Sequence, residues 1–340
     1  MSIRLVILGC GAVTQIMYVP VLKALRSHFE VVAACDVAGA NRQCFHACFP
    51  SAKLFSDYRD LLQAVNADAA IIALPHTLHK AAILHAFDGD LDVLCEKPLA
   101  ITAGDCDEIE RGRCAARRLL GVGLFRRHFP SVRAIHAMLA ANALGAVTSF
   151  DFHHGSVYDW PAASLAMFDA SLSGGGVLMD AGAHDLDLLL WWLGEADVLR
   201  YADDCVAGGV ECDCALELHL GSGARGTMRL SRSADLNNVF HIVCERGVLT
   251  WNYDDALGFR LALNGTAQMY CAVAPANGSF ARNRYLAAFQ VQLETFAGAC
   301  RNRDPEGLVN AVDARHSVHL VEAAYSLREP LNLPWLQSID

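Results

Sequence analysis

The chain has 340 residues, 54% of them apolar and 19% charged, with a formal net charge of -10 at pH 7. That length suits two domains with separate cores, and the composition is globular rather than disordered. The negative charge argues against nucleic acid or an anionic membrane surface as partner, and no apolar run approaches the ~18 residues of a membrane-spanning helix.

In the first third, short apolar runs alternate with helical patterns. Strands are expected at Arg4–Leu8, Glu30–Cys35, Ala69–Leu74, Asp92–Cys95 and Leu119–Leu124, and helices at Tyr18–Ser27, Asn41–Phe49, Asp57–Val65, Leu78–Phe87 and Ala103–Arg118. Near-continuous apolar strands alternating with helices are the pattern of a doubly wound parallel sheet covered on both faces. Past about Gly123 the pattern changes. A helix over Ser131–Ala141 precedes strand-like runs at Val147–Phe152, Cys212–Leu220, Ala224–Leu230, Phe240–Cys244, Gly247–Trp251 and Phe259–Leu263. Helices are expected only at Asp185–Leu193, Tyr285–Cys300 and Ala311–Ser326. Strands in succession indicate a second, α+β domain on a large, mostly antiparallel sheet. The expected division is 1–123 and 124–340.

The 13 cysteines, from Cys10 to Cys300, follow no framework spacing and read as a reduced, cytoplasmic thiol set. Cys44-Phe-His-Ala-Cys48 and Cys212-Asp-Cys214 lack a second ligand pair at zinc spacing, so no metal is expected. Leu5–Val13 is apolar like a signal-peptide core but carries glycines, and no cleavage pattern follows. Asn264-Gly-Thr266 and Asn277-Gly-Ser279 match the glycosylation acceptor pattern and, in a cytoplasmic chain, read as loop turns.

Gly9-Cys-Gly11-Ala12-Val13-Thr14 follows the first strand and opens toward the first helix, the context that a dinucleotide fingerprint requires. Gly9 would make the tight turn, and Gly11 would let backbone N–H groups reach a pyrophosphate favoured by the helix dipole. Thr14 stands where the strict motif has a third glycine, which predicts a slightly wider helix–strand separation. Asp36 ends the second strand, 22 residues past Thr14, near the spacing of the acid that binds a ribose 2′-hydroxyl. No Arg occurs in Val37–Ala40 to neutralise a 2′-phosphate, so NAD is favoured over NADP.

Two further strand ends carry polar chemistry: Ala73-Leu74-Pro75-His76-Thr-Leu-His79 and Cys95-Glu96-Lys97-Pro98. Both fall beside the crevice where ligands of a doubly wound sheet bind. Later, Gly174-Gly-Gly leads into Asp180 and His184, four residues apart and therefore on one face of a helical turn. Either Asp180 caps the helix and His184 is a core histidine, or the two form a proton-handling pair. At a helix N-terminus the dipole would favour ionised Asp180 and a neutral His184.

These segments, in this order and spacing, resemble the glucose-fructose oxidoreductase, inositol dehydrogenase and rhizopine-catabolism (Gfo/Idh/MocA) oxidoreductases. The likeness runs from Gly9–Thr14 through Pro75–His79, Glu96-Lys97-Pro98 and Asp180-x-Gly-x-His184 to an ending with Glu322-Ala-Ala-Tyr-Ser and Leu333-Pro-Trp. The resemblance implies a Rossmann domain followed by an open-faced sheet domain that assembles homodimers or homotetramers. It also implies hydride transfer between a nicotinamide and a hydroxyl or carbonyl carbon of a sugar, polyol or related molecule. Carried over by position, Lys97, Asp180 and His184 are the catalytic group, with Leu74, Pro75, His76, His79 and Glu96 beside the cofactor. Thr14, and Tyr18 where many relatives have His, depart from the pattern and touch cofactor fit.

Hydride loss from a hydroxyl carbon requires a base for its proton. His184, oriented by Asp180, is the candidate; Lys97 would stabilise alkoxide charge or carry the proton itself. Tyr158 and Trp160, in the irregular segment before the glycines, would suit a sugar-like ring, and Arg126 and Arg127 open the second domain near the crevice. Two alternatives remain: a lyase or glycosidase that oxidises transiently with held NAD, and a non-catalytic nucleotide-binding regulator.

Overall fold

In the computed structural model, which describes residues 2–161, 165–205, 209–274, 280 and 282–331, the alternation of the first third becomes a six-stranded parallel sheet. Its elements in chain order are β1 (Ile3–Leu8), α1 (Val19–Ala24), β2 (Phe29–Cys35), α2 (Gly39–Cys48), β3 (Lys53–Phe55), α3 (Tyr58–Ala64), β4 (Ala69–Ile72), α4 (His79–Asp88), β5 (Asp92–Cys95), α5 (Ala103–Ala116) and β6 (Leu120–Val122). The strand order is β3-β2-β1-β4-β5-β6. The winding direction reverses between β1 and β4, which opens a crevice beyond their carboxyl ends. Every residue of β4 and β5 is buried, as expected of strands covered on both faces. Side-chain caps at Asp57 and Thr102 start α3 and α5.

The second half contains α6 (Pro130–Ala140), β7 (Val147–Gly155), α7 (Ala170–Ser173), α8 (Val177–Leu193), β8 (Ala196–Asp203), β9 (Asp213–Leu220), β10 (Arg225–Ser231), β11 (Val239–Cys244), β12 (Gly247–Asn252), β13 (Gly258–Leu263), β14 (Met269–Ala272), α9 (Arg284–Asn302), α10 (Ala311–Ser326) and β15 (Arg328–Pro330). Nine strands form one sheet in the order β14-β13-β12-β11-β7-β10-β9-β8-β15. Most pairs are antiparallel; β7–β10 and β8–β15 are parallel. On the inner face Phe152 stacks on Phe240 at 4.1 Å, and Trp192 of α8 meets Trp251 edge-on at 5.5 Å. Offset and edge-on ring contacts of this kind anchor α8 to the sheet.

Four strands escape the sequence pattern. β3 and β15 have three residues each, β14 is an exposed edge, and β8 breaks its alternation with a register shift between Val198 and Arg200. The larger difference is α8, which begins at Val177 rather than Asp185. Burial, rather than propensity, carries its glycine-containing first turns. A Cβ on Gly182 would come within 2.8 Å of Leu178 and Leu230, so the missing side chain lets α8 lie close against β10. Its cap is also not Asp180. Glu211, 1% exposed, accepts the N–H of Gly176 at 2.9 Å and of Leu178 at 3.0 Å, and the Tyr325 hydroxyl at 2.8 Å.

The last two helices fold back on the first half: α9 packs on α1, and α10 packs on both α5 and α8. The Val122 N–H donates to Val309 O at 2.9 Å, so the chain before α10 closes the β6 edge. Asn277–Ser279 and the Leu333-Pro-Trp ending lie outside the described residues. Among the described residues no helix is long and apolar enough to cross a membrane.

Gly176 tests this account of the α8 start. A Cβ there would fall 2.0 Å from the Glu211 carbonyl oxygen, a backbone atom with no rotamer to yield. Gly176→Ala is expected to lower the thermal midpoint by about 5 °C or more, read by scanning calorimetry; an unchanged midpoint would refute the close approach.

Candidate active site

The crevice is built first by backbone. Gly9 takes φ +99°, and a Cβ on it would strike Ala73 O at 2.2 Å, so the tight turn after β1 requires glycine. Gly11 faces open space, with nothing within 4 Å of where its Cβ would be. Ala12 and Val13 begin the helical turn, whose first N–H groups have no intrahelical acceptor and favour an anion. Thr14, in place of the third glycine, has a structural role of its own. Fully buried, it donates its hydroxyl to Gly9 O at 2.7 Å and ties the helix start to the loop.

Asp36 lies where the fingerprint requires it. Its carboxylate accepts the N–H groups of Cys10 (2.9 Å) and Ala38 (2.8 Å) and the Asn41 amide (3.2 Å). Arg42, two residues beyond Val37–Ala40, donates to the carbonyls of Asp36 and Val37. An open glycine cradle, a helix N-terminus and an acid at the β2 end together fit a dinucleotide.

The ends of β4 and β5 form the other wall. His79 is completely buried, with ring nitrogens 2.8 Å from Pro98 O and 2.9 Å from Leu74 O. It braces the Leu74–Pro75 segment against the turn after Lys97 rather than facing the crevice. His76 Nδ1 lies 2.8 Å from Ser173 O, and burial, then His79 and Lys97, lower its pKa to about 3. Glu96 accepts the Tyr18 hydroxyl at 2.7 Å and the Lys97 N–H at 3.2 Å; burial pushes its carboxyl up. Tyr18 and Glu96 therefore support the backbone that carries Lys97.

Lys97 Nζ donates to Asp180 Oδ1 at 2.5 Å and to Asp180 O at 3.0 Å. Arg232, just past β10, donates to Asp180 Oδ2 at 2.6 Å. Burial alone would raise the Asp180 carboxyl, but Lys97 and Arg232 hold it well below the usual carboxylate range. His184, one turn on, is 7% exposed and packs edge-on against Phe125 at 5.0 Å. Burial, then Lys97 and Arg126, lower its pKa well below the ordinary imidazole value. Asp180 does not orient His184 by accepting a hydrogen bond from its ring: its carboxylate accepts from the two cations, and among the described residues His184 Nδ1 is buried without a partner.

Of the expected substrate residues, Tyr158 borders this group, with the Arg232 guanidinium 5.5 Å from its ring centre. Trp160 is 39% exposed. Arg126 lies in the wall beside His184, whereas Arg127 turns away to pair with Asp187 and Asp313. Arg232, Glu211 and the pair His154–Asp185 (2.8 Å) are additions that the sequence pattern did not single out. Their partners lie tens of residues away, and no local spacing signals them.

Two family models match the chain. An oxidoreductase family with an NAD-binding Rossmann fold, GFO/IDH/MocA, covers residues 3–124, and the GFO/IDH/MocA C-terminal domain covers residues 132–250. Inositol 2-dehydrogenase of Burkholderia multivorans is 30% identical over 199 residues, 57% of this chain and 56% of that protein. The chain thus aligns with only a little over half the length of that relative. Rhizopine catabolism protein MocA of Rhizobium meliloti is 27% identical over 336 residues, 95% of this chain and 94% of that one. A crystal structure of a 3-ketoreductase from Actinomadura kijaniata with NADP and TDP-benzene superposes with a TM-score of 0.83 at 19% identity, covering 98% of this chain and 100% of that one. The two adjoining family matches, on a parallel sheet followed by an open antiparallel-rich one, assign the chain to the GFO/IDH/MocA oxidoreductase family.

Proposed function

We propose that the protein is an NAD-dependent oxidoreductase acting at a hydroxyl or carbonyl carbon of a sugar, polyol or related small molecule. The observation that carries this reading is the Lys97–Asp180–Arg232 ion cluster beside a neutral, unpartnered His184, at the carboxyl ends of a dinucleotide-type sheet. A nicotinamide bound at Gly9–Thr14 and Asp36 would supply the hydride acceptor or donor.

The chain's own residues then handle the proton and the charge. As a carbinol carbon gives up hydride, its oxygen must lose a proton. His184 is the acceptor on this reading, because its ring is held neutral and carries no hydrogen bond. Lys97 is an ammonium fixed by two contacts to Asp180, placed to stabilise alkoxide charge as it develops. Asp180 orients Lys97, and Arg232 orients Asp180. In the opposite direction the same groups return the proton to a reduced carbonyl oxygen. Asp36 favours NAD, since a carboxylate accepts from a ribose 2′-hydroxyl and repels a 2′-phosphate. Assembly as a homodimer or homotetramer through the second sheet completes the reading.

Purified protein incubated with NAD or NADP and a panel of polyols, sugars and keto-sugars should change nicotinamide absorbance with at least one of them. Lys97→Ala and His184→Ala are each expected to lower kcat by about 100-fold or more; full turnover in either variant would remove that residue from the chemistry. Copurified nicotinamide without net turnover would point instead to transient oxidation in a lyase or glycosidase. Asp36→Ser is expected to shift the NAD-to-NADP ratio of kcat/KM at least about tenfold toward NADP, and an unmoved ratio would reject Asp36 as the selector.

Acidity supplies a further test. His76 and His184 are neutral in the fold and take up a proton on unfolding below about pH 6.5. Stability is therefore expected to fall as pH drops from 6.5 towards 3, by at most ~1.4 kcal/mol per pH unit for each ring. His76→Gln should flatten part of that slope in denaturant titrations between pH 4 and 6.5; an identical slope would contradict the burial of a neutral ring.

A further inference from the structure

Arg126 and Arg127 are neighbours in the chain with opposite fates. Arg127 is paired on both sides, by Asp187 at 2.6 Å and Asp313 at 2.8 Å. Arg126 is only 8% exposed, yet among the described residues its guanidinium makes no hydrogen bond, and Nε and Nη1 are sealed without partners. The nearest carboxylate oxygen, on Asp254, is 3.9 Å from Nη1, beyond hydrogen-bond reach. Asp254 is itself engaged by Arg284 at 3.2 Å and by the Tyr285 hydroxyl.

What holds Arg126 is aromatic. Its guanidinium carbon lies 3.8 Å from the Tyr253 ring centre, 5.2 Å from Phe125 and 5.6 Å from Tyr285. Ring faces stabilise a cation and fix its plane, but they leave the in-plane N–H donors unanswered. The same wall carries His184: Phe125 is 5.0 Å from that imidazole, and Tyr253 stacks on His154 at 3.7 Å, whose Nδ1 bonds to Asp185.

The charge balance points the same way. Lys97, Arg232, Arg126 and Arg284 face the carboxylates of Asp180, Asp185 and Asp254, while His76 and His184 are neutral and burial pushes Glu96 towards its neutral form. The crevice therefore keeps an unanswered positive charge inside a chain of net charge -10. Arg127 is hydrogen-bonded to two carboxylates, whereas Arg126 has only a long ion pair to an acid that other groups already hold, and a buried cation whose donors lack hydrogen-bond partners is costly.

We infer that Arg126 receives a carboxylate of the substrate, so that the substrates are polyhydroxy acids of the aldonate or uronate type rather than neutral sugars or polyols. This rests on the oxidoreductase reading for where the substrate lies. The reacting carbon and its proton stay with Lys97 and His184; Arg126 binds the far end of the molecule and adds a charge-assisted hydrogen bond.

Matched pairs that differ only in carboxylate against CH2OH provide the test: D-glucuronate against D-glucose, and D-gluconate against D-glucitol. With NAD, kcat/KM is expected to favour the acid on the order of 10- to 100-fold, with the preference shrinking as salt rises. Arg126→Gln should erase most of that preference, chiefly through KM, and Arg126→Lys should recover part of it. Calorimetric titration of both acids into NAD-loaded protein reads binding without turnover; binding that Arg126→Gln loses, with circular dichroism retained, supports the assignment. Should the Gln variant fail to fold, the wild-type acid preference and the Arg126→Lys variant decide. Equal kcat/KM within a pair, or acid binding unchanged in Arg126→Gln, overturns it. Turnover of neutral members with no acid preference overturns the anion site alone. Acid binding with no turnover of any member overturns the oxidoreductase reading and leaves the anion site standing.

Discussion

One carboxylate organises the crevice. Asp180 meets Lys97 at 2.5 Å and Arg232 at 2.6 Å, and so joins the end of β5, the first turn of α8 and the end of β10. Moving a carboxylate out of water is expensive, and a single partner often fails to offset that cost. Two cations and the helix N-terminus do so here. The ion cluster also crosses from the parallel sheet to the antiparallel-rich one, so the geometry of the reacting groups and the docking of the two layers rest on the same contacts. Lys97 gains a fixed direction, and His184, one turn along α8, keeps the same outlook without being bonded to Asp180.

The remaining acids of α8 show how a helix this deeply buried manages polar groups. Asp187 is met by two nitrogens of Arg127, at 2.6 and 2.9 Å. Asp185, fully buried, takes the His154 ring at 2.8 Å. Glu211 reaches in from the chain before β9 to cap the helix start, and burial pushes its carboxyl up. Each acid is answered by a different element, which places α8 at the junction of the nine-stranded sheet, α6 and α10. Precision at Asp180 and His184 follows from this anchoring, since neither depends on a loop.

Much of this could be read from residue order, because the relevant signals are local. Continuous apolar runs gave β1, β4 and β5 within two residues, and Gly9, Gly11 and Asp36 are legible since turn chemistry and strand ends act over short spans. Lys97, Asp180 and His184 are recognisable as motifs; Lys97 pairs with Asp180, while His184 lies one turn further along α8 without a bond to it. What stayed hidden is long-range. Arg232 and Asp180 are 52 positions apart, and Glu211 is 33 positions from Leu178; no periodicity encodes such pairings. The α8 start at Val177 lies before the expected Asp185 because its first turns hold Asp180 and Gly182, which give no apolar periodicity, and it is packing against β10 that makes them helical. At Thr14 size is not the whole signal, since its hydroxyl makes a bond to Gly9 O that a glycine cannot.

The closure of β6 bears on how the chain is made. Until Val309 arrives, the Val122 N–H has no acceptor from it, and Gly121 lacks Leu308. During synthesis the first sheet can pair its strands early, yet it carries an unfinished edge until the chain up to Val309 has left the ribosome. Unpaired edges invite pairing with other chains. The fold-back of α9 and α10 thus makes the vulnerable interval of this protein a matter of translation time, and couples completion of the nucleotide-binding half to two helices made long after its own strands.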